Sequence, residues 1–207
     1  EAFFIYRDAV NLQGFVSIHV DDFLPSGNGD FQGQTMQKVK EIFEIGTESS
    51  TPMKYLGVNL NQDEKYQINL DQNDYVSSME ATEIIEPKDK QRTLSREEQY
   101  AFRAIVGQLN WLSSQSRPDL AFDVCQLSTK LNSATIKDLI QANKIVKKAK
   151  NAELSLVFPN LQSPLHLLAY CDASYANLPD GSSQGGCIIF LTDDDETMRQ
   201  GDEETRR

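Results

Sequence analysis

Asp21 and Asp22 stand side by side in "SIHVDDFLPSG", flanked by Phe15, Val16, Ile18 and Val20 on one side and by Phe23 and Leu24 on the other. Two adjacent carboxylates in apolar, β-rich surroundings have two readings. Asp bonds its own backbone and tolerates the conformations of tight turns, so the pair can simply mark a reversal. It can also hold a hard divalent cation such as Mg2+, which takes oxygen ligands and keeps several waters. Two such ions, about 3.5–4 Å apart, can activate an attacking oxygen and stabilise a leaving one. A second group of chemistry-bearing residues is basic: Lys144, Lys147, Lys148 and Lys150 crowd the end of one helical pattern. Lysines there are favoured by the helix dipole alone, and they also suit an anionic ligand.

The elements that must position these residues can be read from period and punctuation. "FFIYRD" and "GFVSIHV" are β-rich runs, followed by "FLPSG", which makes an antiparallel meander with the acidic pair at a reversal. Alternation sends Val16, Ile18 and Val20 to one face, opposite Ser17 and His19. Met36, Val39, Ile42 and Phe43 recur at helical spacing ahead of Gly46, a residue suited to a helix stop. "MKYLGVNL" and "KYQINL" flank "NQDE" as one hairpin with a polar connection. From Ser95 the period changes. Ser95 with Glu98 forms a capping-box pattern ahead of Phe102, Ile105, Val106, Leu109 and Leu112. A second helix starts just after Pro118, and a third carries Ile136, Leu139, Ile140, Asn143 and Val146 on one face. Strands return in "ELSLVF", "LHLLAYCDA" and "GGCIIFL". The fold class expected is α+β.

The chain has 207 residues, 39% of them hydrophobic, and a net charge of −11. That charge is uneven. Positions 1–90 hold 16 acidic and 7 basic residues, positions 91–151 hold 5 and 10, and positions 152–207 hold 10 and 3. A basic middle, with Arg103 and Arg117 beside the lysines, is compatible with a nucleic-acid partner at one surface. Cys125, Cys171 and Cys187 lack the close spacing of zinc sites or disulfide frameworks, so buried free thiols are expected. With no signal-peptide pattern and no apolar run of membrane-spanning length, the expectation is a soluble, intracellular, cytoplasmic chain without a membrane partner. The end, "TDDDETMRQGDEETRR", shows no apolar period and reads as a disordered acidic tail.

Four blocks, "FVSIHVDDFLPSG", "MKYLGVNL", "FRAIVGQLNWLSSQSRPDLAFDVCQLS" and "YCDASYANLPDGSSQGGCIIF", stand in the order found in the Pol polyprotein of copia-type LTR retrotransposons. Over residues 3–192 the chain resembles the second half of the reverse transcriptase and the beginning of its ribonuclease H domain. The resemblance implies a partial palm over 1–94, a helical thumb or connection over 95–151, the start of a ribonuclease H-like mixed sheet over 152–192, and a tail over 193–207. It implies that His19-Val20-Asp21-Asp22 occupies the Tyr-x-Asp-Asp box, with Asp21 and Asp22 as catalytic metal ligands and His19 where the family has Tyr beside the primer end. Asp172 matches the first acidic metal ligand of the ribonuclease H fold. Mg2+ or Mn2+ is the implied cofactor of the intact enzyme, and an RNA template and RNA/DNA hybrid are the implied partners. His19, Arg103, Arg117, Lys144, Lys147 and Lys148 are the candidate nucleic-acid contacts. In this frame the chain lacks the fingers, an earlier catalytic Asp and later ribonuclease H acids, and no DNA synthesis is expected from it alone. The competing readings are a non-catalytic nucleic-acid or subunit-binding module, and a degenerate transposon-derived protein.

Overall fold

The computed structural model describes residues 2–84, 89–176, 178 and 181–193. It is a mixed α+β structure with three small antiparallel sheets, of order β1-β2-β3, β4-β5-β6-β7 and β8-β9. The chain divides into two units, Glu1–Ser50 and Thr51–Arg207. The expected acidic tail, from position 194 on, lies outside the described residues.

In the first unit β1 (Ala2–Asp8), β2 (Asn11–His19) and β3 (Asp22–Gly27) form the expected meander. Phe3, Phe4, Ile5 and Tyr6 supply strong β propensity, yet each stays exposed. Phe31 and Met36 are the buried hydrophobic side chains of this unit among the described residues, and Phe31 has a seat built for it. Gly14 and Gly27 are register partners, and an added Cβ at either would lie 2.5 or 2.4 Å from the Phe31 ring. The two missing side chains thus leave the seat in which Phe31 is buried. Asn28 fixes the approach, its side-chain oxygen accepting from the Phe31 N–H at 2.9 Å. A π-helical turn, Phe31–Thr35, then runs into α1 (Met36–Ile42). The helix ends at Ile42, short of Gly46, because Phe43 has turned extended. Its ring lies 5.9 Å from that of Phe23. Gly14→Val is expected to destabilise this unit by about 1–3 kcal/mol, because the ring must move. Urea unfolding followed by the Phe31 aromatic NMR signals would show it.

The second unit gathers the core. β4 (Met53–Tyr55), β5 (Val58–Gln62) and β6 (Ile68–Asp71) are a meander completed by β7 (Leu156–Phe158), which pairs with β6. "MKYLGVNL" is therefore two strands and not one. Leu56 and Gly57, with φ of 48° and 78°, make a two-residue reversal inside it. Gly57 is required twice over, since a Cβ there would also lie 2.8 Å from the Trp111 ring. "ELSLVF" joins this sheet, while among the described residues β8 (His166–Ala173) and β9 (Gly185–Thr192) pair with each other alone.

After the short α2 (Asn73–Ser78), the helices α3 (Arg96–Gln115), α4 (Ala121–Ser128) and α5 (Ile136–Lys150) pack around Phe102, Ile105, Leu109, Leu120 and Leu139. Each such side chain contributes about 1.5–3 kcal/mol when fully buried. α3 begins as expected: Ser95 and Glu98 form a reciprocal capping box, and Arg92 bonds both Glu98 oxygens at 2.8 and 2.9 Å. The segment before α3 also holds the start of α5, through Leu94 N–H to Ala134 O at 3.1 Å and Ile136 N–H to Arg92 O at 3.1 Å.

The hydrogen bond from Arg92, together with that from the Ser95 backbone, holds the Glu98 carboxyl down to about 2. Its pKa is lower folded than unfolded, so the stabilisation is complete above the unfolded value of about 4.3 and disappears as pH falls toward 2. Glu98→Gln is expected to cost about 0.5–1 kcal/mol near neutral pH and nothing once the wild-type carboxyl is protonated. Urea midpoints measured across that range test the convergence.

Candidate functional site

The acidic pair lies at the β2–β3 reversal, where His19 pairs with Asp22 and Val20-Asp21 form the tip. Both carboxylates are exposed. Val20 does not share a face with Val16 and Ile18 as alternation suggested. It has left the strand, with φ of 54° and 81% exposure. A β-branched residue in the left-handed region is a genuine outlier that costs about 1–2 kcal/mol. Such strain concentrates where a turn is held for a purpose beyond stability. Asn tolerates this conformation, so Val20→Asn is expected to stabilise the first unit by about 1 kcal/mol, read as a higher urea midpoint.

Asp21 and Asp22 can each offer oxygens to a water-rich divalent cation, an arrangement that suits Mg2+ held by one or two carboxylates and completed by substrate phosphates. Asp8 is no partner for them. Its oxygens accept from the Asn11 N–H at 3.3 Å and the Gln13 amide at 2.8 Å, closing the turn at the opposite end of β2. The nine residues of β2, whose successive rises add to roughly 26 Å, separate the two reversals. Among the described residues no group of three or more His, Cys, Asp or Glu side chains is placed to hold a metal ion.

Asp172 lies on β8, exposed, opposite Gly186 on β9. A Cβ at Gly186 would meet nothing within 4 Å, so the space beside Asp172 is open.

The basic candidates separate by environment. Lys144, Lys147 and Lys148 are exposed on α5. Lys148 reaches Asp123 on α4 at 2.9 Å. Lys144 and Lys147 border a groove of about 460 Å³ whose apolar wall includes Ile84, Ile140 and Val146. Arg103 is exposed but bonds Leu131 O at 3.2 Å and the Asn132 side chain at 3.1 Å. Arg117 departs from the expectation of a nucleic-acid contact. It is 2% exposed, and its donors go to both Asp119 oxygens and to the carbonyls of Ala149 and Ala152. It is a clamp on the C-terminal end of α5. The residue pair Arg117 and Asp119 was visible in the sequence, but the two carbonyls that draw the guanidinium inward lie more than thirty residues away.

The cysteines also depart from expectation, since all three are exposed free thiols. Cys125 is on an outward face of α4, and a two-stranded sheet leaves most of β8 and β9 uncovered. No helix among the described residues is long and apolar enough to cross a membrane.

No family model matches the chain, and no solved structure matches it. Among curated proteins, the chain is 25% identical over 195 residues to a Saccharomyces cerevisiae protein described as belonging to transposon Ty5-1. The alignment covers 86% of this chain and 62% of that protein, so the chain spans less than two thirds of its relative's length. The similarity is that of a transposon-derived protein.

Proposed function

We propose that this chain is a segment of a copia-type RNA-directed DNA polymerase, contributing the Asp-Asp turn of the palm, the helical connection and the first hairpin of the ribonuclease H domain. The observation that carries the reading is the tip of the β2–β3 hairpin: two adjacent exposed carboxylates follow a strained Val20. The similarity to a transposon protein supports it. Asp21 and Asp22 are the residues to hold Mg2+ or Mn2+, and Asp172 is the corresponding ligand of the ribonuclease H part. When bound, the cations supply charge stabilisation to the attacking and leaving oxygens of nucleotidyl transfer. The side chains place the cation, His19 borders the primer end, and Lys144, Lys147 and Arg103 lie along the RNA/DNA hybrid as phosphate contacts.

Phosphoryl transfer depends almost wholly on positioning and charge stabilisation. With no third carboxylate placed beside Asp21 and Asp22 among the described residues, the chain alone gives no synthesis on a primed RNA template with Mg2+ or Mn2+. Fused to, or mixed with, the upstream half of the polymerase, it gives metal-dependent incorporation above that of either half. Absence of incorporation from the reconstituted pair, together with duplex binding that falls with salt, would replace this reading with a non-catalytic nucleic-acid-binding module.

A further inference from the structure

Cys171 on β8 and Cys187 on β9 are register partners in an antiparallel pair. Both are exposed, and neither is in a disulfide. Directly opposed residues in such a pair have Cα atoms about 4.5–5.5 Å apart, within the 4.4–6.8 Å that a disulfide spans. Their Cβ atoms, at about 4.5–5.5 Å, need to close by roughly 1 Å to reach the usual bridging distance. Among the described residues β8 and β9 form a sheet of their own, so the hairpin can make this adjustment by twisting, without moving a third described strand.

We propose that Cys171 and Cys187 are a cross-strand redox pair, a modification site that closes to an intramolecular disulfide by exchange with a small disulfide oxidant such as oxidised glutathione. One thiolate attacks an oxidant sulfur, breaking the oxidant's S–S bond, forming a mixed disulfide and releasing one glutathione thiolate. The opposing cysteine then loses its proton to solvent and its thiolate displaces the second glutathione. Two protein thiols are oxidised to one disulfide, and one glutathione disulfide is reduced to two thiols. As directly opposed partners, the two side chains stand on the same face of the pair.

The bridge has a defined consequence for its neighbour. Successive side chains alternate across a strand, so Cys171 and Asp172 are on opposite faces of the hairpin. Closing the bridge pins β8 to β9 while leaving the Asp172 face uncovered. Cys125 is the control, its sulfur lying 3.9 Å from the Gln184 amide near the start of β9.

The test is to incubate the reduced full chain with oxidised glutathione, block remaining thiols, and digest with chymotrypsin, which cuts at Tyr175 between the two cysteines. The expected product is a cross-linked pair of peptides containing Cys171 and Cys187, formed equally by Cys125→Ser. Cys171→Ser and Cys187→Ser should each lose the cross-link and carry glutathione on the remaining partner. Circular dichroism on each variant checks that the fold is kept. Wild-type protein that accumulates glutathione on both cysteines without bridging, links either to Cys125, or forms only intermolecular dimers would overturn the proposal.

Discussion

Asp21→Asn in the polymerase reconstituted from this chain and its upstream half is expected to lower deoxynucleotide incorporation by at least about 10²–10³-fold. That figure is the cost of losing a single neutral donor to a developing charge, and removing a metal-holding carboxylate should cost no less. Asn keeps the size and turn propensity of Asp, so the hairpin tip survives and the loss is one of charge. Asp22→Asn should also impair synthesis. Asp8→Asn should leave it unchanged, since Asp8 serves the reversal at the other end of β2. The measurement is the steady-state rate over a Mg2+ titration, with circular dichroism confirming the fold of each variant. A rate for Asp21→Asn equal to wild type would move the catalytic carboxylates elsewhere in the chain and end the proposed role of this turn.

What could be read from the sequence follows the range of the interaction responsible. The capping box of Ser95 and Glu98 and the apolar stripe of α3 depend on residues within a few positions, and both are present as expected. The reversal at Asp21 is legible for the same reason. Its strain is not, because nothing in the word Val-Asp-Asp announces a valine with φ of 54°. "MKYLGVNL" looks like one strand since Leu56 carries no turn signal. The turn is set by Gly57 lying against Trp111, fifty-four positions later in the chain. Solvent exposure is the least local property of all. Cys125, Cys171 and Cys187 follow the usual burial preference only if a second layer covers them, and the two-stranded β8–β9 sheet leaves its own pair uncovered. The basic residues of positions 91–151 have one charge and different roles, a distinction the sequence does not contain.

Arg117 shows how far those roles diverge, and its ion pair gives the largest stability effect expected in the second unit. Its guanidinium uses four of its five donors: two bond Asp119 at 2.8 and 3.0 Å, and two bond the carbonyls of Ala149 and Ala152 at 3.1 and 3.0 Å. Asp119→Ala removes the carboxylate that, among the described residues, is bonded to a charge only 2% exposed. An uncompensated buried charge costs about 3–5 kcal/mol. Arg117→Met should cost less, about 1–3 kcal/mol, because two carbonyls lose donors while the partly exposed Asp119 can turn to water. Arg117→Lys should not restore the wild-type midpoint, since an ammonium cannot reproduce a fork that bonds a carboxylate and two carbonyls together. The Asp119 carboxyl is held below the usual carboxylate range, first by its hydrogen bond from Arg117 and also by the charges of Arg117 and Lys148, against the opposing effect of burial. A depressed folded pKa stabilises above the unfolded carboxylate value and is lost on acidification, so the gap between wild type and Asp119→Ala should narrow as pH falls through that range. Urea unfolding followed by Trp111 fluorescence reports on this unit. A larger loss for Arg117→Met than for Asp119→Ala would mean that the carbonyl contacts, and not the ion pair, hold the end of α5.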